Sequence, residues 1–174
     1  MSILTVPPRL SKMMIDCHPS IVAGYHYTQG ALDQIERPCF LIFVEDASYP
    51  QTTEGQEQVE QSYSLAYVGE AYNVDDEGVE YEIQARTVAE ASVLYLFEHP
   101  QLTFENRRSI SIAGDTPEET FDGPEGMLDG VTGIRLESRS AVTLFSRDGV
   151  NEAFWGFSIE ITIKEQLSYE TVGY

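Results

Sequence analysis

The sequence predicts an α+β fold: a mostly antiparallel β-sheet packed against one main helix, with a short N-terminal helix. Three observations carry that reading. From Phe154 to Lys164 the odd positions are Trp155, Phe157, Ile159, Ile161 and Ile163, and Phe154 aside the even ones are small or polar. That period of two sets one face of a strand on a core. Pro38 to Val44 is a continuous apolar run, the pattern of a strand covered on both faces. Between them, Val79 to Glu98 repeats apolar residues at helical spacing and stops at His99-Pro100.

Taken in order, Pro7-Pro8 opens a short helix, because proline suits the first helical turn. Leu10, Met13, Met14 and Cys17 form its packing face, and His18-Pro19 ends it. Residues 20–37 fit a loop or an edge strand, with room for one helical turn from Ala31 to Arg37, so 1–37 is a helix and lead-in. The Pro38–Val44 strand is expected near the centre of the sheet. Glu45 to Gln58, with Pro50 and Gly55, reads as a polar loop between two hairpin strands. Val59 to Val68 then sets Val59, Tyr63, Leu65 and Tyr67 against Glu60, Ser62, Ser64 and Ala66.

Asp75-Asp76-Glu77 stands just before the main helix, where carboxylates cap free N–H groups and oppose the positive end of the dipole. Tyr81, Ala85, Val88, Ser92 and Tyr95 mark the buried face of that helix, and Glu82 with Arg86 forms an i,i+4 pair. Residues 101–130 form a long acidic insertion carrying Asp115, Glu118, Glu119, Asp122, Glu125 and Asp129, with a short strand expected at Ser109–Ala113. Loops of that length in a domain are usually functional or mobile. Ile134, Leu136, Val142 and Leu144 alternate with Arg135, Glu137, Thr143 and Phe145, giving a closing strand over Gly133–Ser146. Arg147 to Glu152 supplies the last turn, tightest at Asp148-Gly149. The 174 residues suffice for one domain, 1–174, with a sizeable core.

Ten basic residues oppose 29 acidic ones, a formal charge of -19. Nucleic-acid affinity comes mainly from Lys and Arg, so phosphate binding through a basic patch is not expected. The charge fits simple solubility, a surface that repels a polyanion, or docking on a basic partner. Cys17 and Cys39 lie beside apolar residues and read as buried free thiols of a reducing compartment. The N-terminus lacks a basic secretory n-region, and no stretch approaches the roughly 20 apolar residues of a membrane span. A soluble protein without membrane contact is expected.

No constellation points to catalysis. The histidines are His18, His26 and His99, two of them directly before prolines, and neither a nucleophile elbow nor a phosphate-cradling glycine loop is present. Cys17-His18 reads as a helix end meeting a turn rather than a zinc site. Asp115 to Asp129 lacks the alternating ligand pattern of a calcium loop and reads as solvated or partner-facing. No enzyme activity, cofactor or metal is therefore expected. The aromatics say more: ten tyrosines, with Phe145 and Phe154 in the exposed register, point to a protein interface. Tyr63, Tyr67, Phe145 and Phe154 are the candidate subunit-contact residues. A sheet face covered by the long loop is the alternative.

The run Arg37-Pro38-Cys39-Phe40-Leu41-Ile42-Phe43-Val44, a polar hairpin, and then Gln61-Ser62-Tyr63-Ser64-Leu65-Ala66-Tyr67-Val68 resembles the first hairpin of phage tail terminator proteins. The helix Tyr81–Glu98 and the closing strands Gly133–Ser146 and Ala153–Lys164 stand where that family has them. The similarity covers residues 37–98 and 131–164 as an order of elements. It implies a structural virion protein without cofactor or catalytic residue: a homo-oligomeric ring, hexameric by resemblance, that caps the tail tube. Such a ring joins tail to head through neck and connector proteins. The location implied is the tail–neck junction of the virion, and the host cytoplasm during assembly. The resemblance also gives the charge a use, since an acidic channel wall lets DNA slide past as a repelled polyanion. Asp75, Asp76, Glu77, Asp115, Glu118 and Glu119 are the candidate lumen-facing acids. Two other classes stay open: an acidic DNA-mimic-like protein that binds a basic host protein, and a small hydrolase with converging acids in a cleft.

Overall fold

The strand written most plainly in the sequence, β7 (Glu152–Ser168), is the spine of the sheet. The computed structural model describes residues 2–26, 35–49, 56–100, 102, 131–146 and 149–168. In chain order the elements are α1 (Ser2–Asp16), β1 (Ala23–His26), β2 (Cys39–Ser48), β3 (Gln56–Val68), β4 (Tyr72–Asn73), α2 (Val79–Glu98), β5 (Val131–Arg139), β6 (Thr143–Ser146) and β7. The fold is α+β, a mixed sheet of seven strands with two helices among the described residues.

The sheet runs β1-β2-β3-β7, and β4 continues beside β7 where β3 stops. Gly156 pairs with both Val68 and Thr143, so β6, and β5 with it, lie along the opposite side of β7. All pairs are antiparallel except β1 with β2. The register places Phe40, Ile42, Tyr63, Leu65, Tyr67, Phe157, Ile159, Ile161 and Ile163 on one face. There they join Val6, Leu10, Met13 and Met14 of α1 and Val88, Tyr95 and Leu96 of α2 in a single core. On the other face Ala23, Cys39, Leu41 and Val68 form a second, smaller cluster.

The expectation of one main helix behind the sheet is corrected. The N-terminal helix is 15 residues long and starts at Ser2, with Pro7 and Pro8 inside it rather than at its first turn. It packs on β1 and β2, while α2 packs on β7. Burial overrides the propensity of the two prolines: Val6, Leu10, Met13 and Met14 are all fully enclosed. The helix lies so close to β1 that a Cβ at Gly24 would stand 2.5 Å from the Ser11 carbonyl oxygen.

Residues 20–37 do contain an edge strand, β1, whose parallel pairing with β2 makes the sheet mixed. Of the possible helical turn, Ala31 to Gln34 lies outside the described residues, and Ile35 to Arg37 is not helical. The polar loop expected over Glu45–Gln58 is shorter, because β2 continues to Ser48 and β3 begins at Gln56. The ladder survives polar sequence there because β7 templates β3 along its whole length. The single closing strand over Gly133–Ser146 is two strands, broken at Ser140–Val142, where the Ser140 hydroxyl accepts from the Ser158 N–H at 2.8 Å. In the turn after β6, Gly149 takes a φ of 79°. The strand expected at Ser109–Ala113 lies outside the described residues. α2 spans the expected residues, with Ala85, Val88, Ser92 and Tyr95 buried.

Candidate functional site

Exposed carboxylates gather at one end of the sheet. Val68 ends β3, and Gly69 and the short β4 keep the chain against β7, with Tyr72 opposite Ala153 and Asn73 opposite Glu152. Glu70, Asp75, Asp76, Glu77, Glu80 and Glu152, all exposed, belong to these segments and to the start of α2. The turn is locked by amides. The Asn73 side-chain oxygen accepts from the Asp75 N–H at 3.0 Å and from Asn151 Nδ2 at 3.1 Å. The Asp75 carboxylate accepts from the same Asn151 nitrogen at 2.9 Å.

This geometry corrects the capping role expected for the acidic run. Gly78 is the N-cap of α2 and no side chain caps the helix, because the Asp75 carboxylate is turned to Asn151. Packing fixes the helix start instead: Tyr72 stacks on Tyr81 with centroids 4.8 Å apart, and the Tyr72 ring occupies the space a Cβ at Gly78 would need. A shallow open depression of about 370 Å³, lined by Ala71, Tyr72, Asn73, Val150, Asn151 and Glu152, marks this end. Its chemistry is that of carboxylates and amides in water, suited to repelling an anion or meeting a cationic surface. No group of three or more metal-ligating side chains is placed to hold an ion among the described residues. Asp115, Glu118 and Glu119 lie outside them.

The four candidate contact aromatics divide. Phe145 and Phe154 stack with centroids 5.3 Å apart on the face opposite the helices, and the Arg37 guanidinium lies 5.1 Å from the Phe154 ring. Phe145 and its neighbour Leu144 are each nearly half exposed. Tyr63 and Tyr67 are core residues, which corrects their assignment to a subunit contact. Tyr67 stacks on Phe157 at 5.1 Å, and burial pushes its phenol well above the ordinary range. Their inward register on β3 was readable, but aromatic abundance outweighed it. Trp155, expected in the core, is half-buried.

Sequence reasoning missed a feature of α2. Val79, Ile83, Leu94 and Phe97 are all more exposed than buried, and at about 100° per residue they share one side of the helix as two pairs with the exposed Arg86 and Glu90 between them. The signal was present as a second apolar spacing beside the buried one, masked because both runs are apolar. Comparison with protein-family models gave no match, and comparison with curated proteins gave no match either.

Proposed function

We propose that this chain is a ring-forming structural protein of the tail terminator kind, capping a tail tube and joining it to the neck, and acting by assembly rather than catalysis. The observation that carries the reading is a surface with two characters. Large apolar side chains for contact, Val79 and Ile83 at the start of α2 and Leu144 and Phe145 on β6, lie toward an end lined with acids, and Leu94 and Phe97 add apolar surface at the far end of α2. In a ring, flanks of the first kind meet neighbouring subunits and ends of the second kind face the channel, where they keep DNA phosphates moving.

Electron microscopy of the purified chain, with gold labelling of virions, tests this directly. Rings in isolation or a label at the tail–neck junction are the expected result. Because each subunit carries -19, assembly should weaken at low salt, where repulsion is poorly screened. A chain that is monomeric both in isolation and in virion material overturns the reading and promotes the acidic-mimic class.

A further inference from the structure

We propose that copies of this chain join edge to edge through two different strands, β5 of one copy lying against the distal half of β2 in the next. The assignment rests on the ring reading for its setting and adds the contact that closes the ring. β1 covers only Cys39 to Ile42 of β2, so from Phe43 to Ser48 the strand pairs with β3 on one side and is open on the other among the described residues. β5 pairs with β7; on its far side the Ile134 N–H donates to the Pro100 carbonyl at 2.8 Å, and from Arg135 to Arg139 that side is open among the described residues. These are opposite margins of one sheet, and each presents backbone N–H and C=O groups that a neighbouring strand would satisfy.

Charge selects which margin meets which. The distal β2 segment carries Glu45 and Asp46, both exposed, between the apolar Phe43 and Tyr49, which are 40% and 69% exposed. β5 carries Arg135 and Arg139, also exposed, in a chain with only ten basic residues. Arg135 is held by Glu137 and lies 3.9 Å from Glu60, whereas Arg139 makes no ion pair among the described residues. Pairing β2 with β2 sets acids on acids, and in β5 with β5 the carboxylate of Glu137 is already held by Arg135, which leaves Arg139 without an acid to meet. The β5–β2 contact alone is complementary. A contact between two different patches is heterologous, the kind that closes into rings.

The bulges fit this role. Between Val44 and Ala47 the β2–β3 ladder shifts register, and Gln61 Nε2 fills the gap by donating to the Glu45 and Asp46 carbonyls at 2.7 and 3.2 Å. The ladder of β5 shifts twice as well. Bulged edges allow a short paired segment and block the long flat pairing that leads to aggregation.

The test is a charge swap read by sedimentation velocity on the full chain. One variant is Arg139→Glu, and the other is Glu45→Arg/Asp46→Arg. Each alone sets like charges across every contact and should raise the concentration of half-assembly by about tenfold or more. Mixed one to one, the two variants offer only complementary contacts in alternation, and assembly should return to within about threefold of wild type. All three sites are exposed, so the melting temperature measured in dilute solution, where the wild type is dissociated as well, should be unchanged, and a lowered one there identifies a folding defect, in which case Arg139→Gln and Asp46→Asn replace the swap. Variants that assemble like wild type, or a mixture that stays dissociated, overturn the edge assignment while the ring reading stands. A wild-type chain that never assembles overturns both.

Discussion

The two halves of the sheet are sealed to different degrees. On the α1 side, every residue of the helix from Val6 to Asp16 is buried or half-buried, and β2 is enclosed on both faces from Cys39 to Ile42. On the α2 side, the helix buries one stripe and leaves another apolar line in solvent, and the outward face of β5 and β6 is open. Local sequence quality runs the other way. α1 contains two prolines and lacks acids in its first turn, whereas α2 holds no proline and carries Glu80 and Glu82 where the dipole favours them. Tertiary burial holds the poorly written helix, and local preference defines the well-written one.

The largest effects should come from the sealed half and the strand both halves share. Leu10→Ala should cost about 2–5 kcal/mol and Phe157→Ala about 3–5 kcal/mol, each read from urea unfolding. Leu10 is fully buried, and Phe157 packs between Tyr67 and Phe40, with centroids 5.1 and 6.0 Å away. A loss below about 1 kcal/mol for Leu10→Ala would break the contrast, because α1 would then be an attachment rather than core.

Alkaline pH sharpens the same comparison. Burial pushes the Cys39 thiol up from 9.0 to about 12, against the pull of Arg37. Below pH 9 the thiol is protonated in both folded and unfolded chains, so its contribution is complete. Between 9 and about 12 only the unfolded chain ionises, and stability falls as pH rises. Cys39→Ala should flatten part of that slope in unfolding measured from pH 8 to 11, with the raised Tyr67 phenol supplying the rest. An unchanged slope would mean water reaches β2. At pH 8 a thiol reagent should titrate the half-buried Cys17 before Cys39.

What the sequence disclosed follows from where its period was local. β7 and β3 repeat at two residues over long runs, and α2 is a 20-residue run free of proline and glycine that stops at His99-Pro100, so their existence was readable. The ends of β2 and β3 were not, because exposed polar strands look like loops and only the ladder to β7 reveals them. The start of α1 was hidden because proline reads locally as a first turn. The acidic end was visible as Asp75-Asp76-Glu77, but Asn151, which turns Asp75 away from the helix, lies far off in sequence. The exposed line on α2 was legible in principle, since its four residues share one side of a helix whose span was readable.

The smallest effect is expected on that line. Ile83 and Phe97 are 59% and 65% exposed, so little apolar surface is removed from water when the described chain folds. Ile83→Ser and Phe97→Ser should therefore each change unfolding free energy by no more than about 0.5 kcal/mol, the range of ordinary surface substitutions. The serine side chains cost α2 little helix propensity, and neither position contributes to the core. The measurement should be made in dilute solution, where association cannot add stability by mass action. A loss of about 2 kcal/mol or more would show that this side of α2 is sealed in the folded chain, and the sealed and open halves would then be alike. A loss appearing only at high concentration would instead place α2 at a contact between copies, because the stability lost would belong to the assembly and not to the fold.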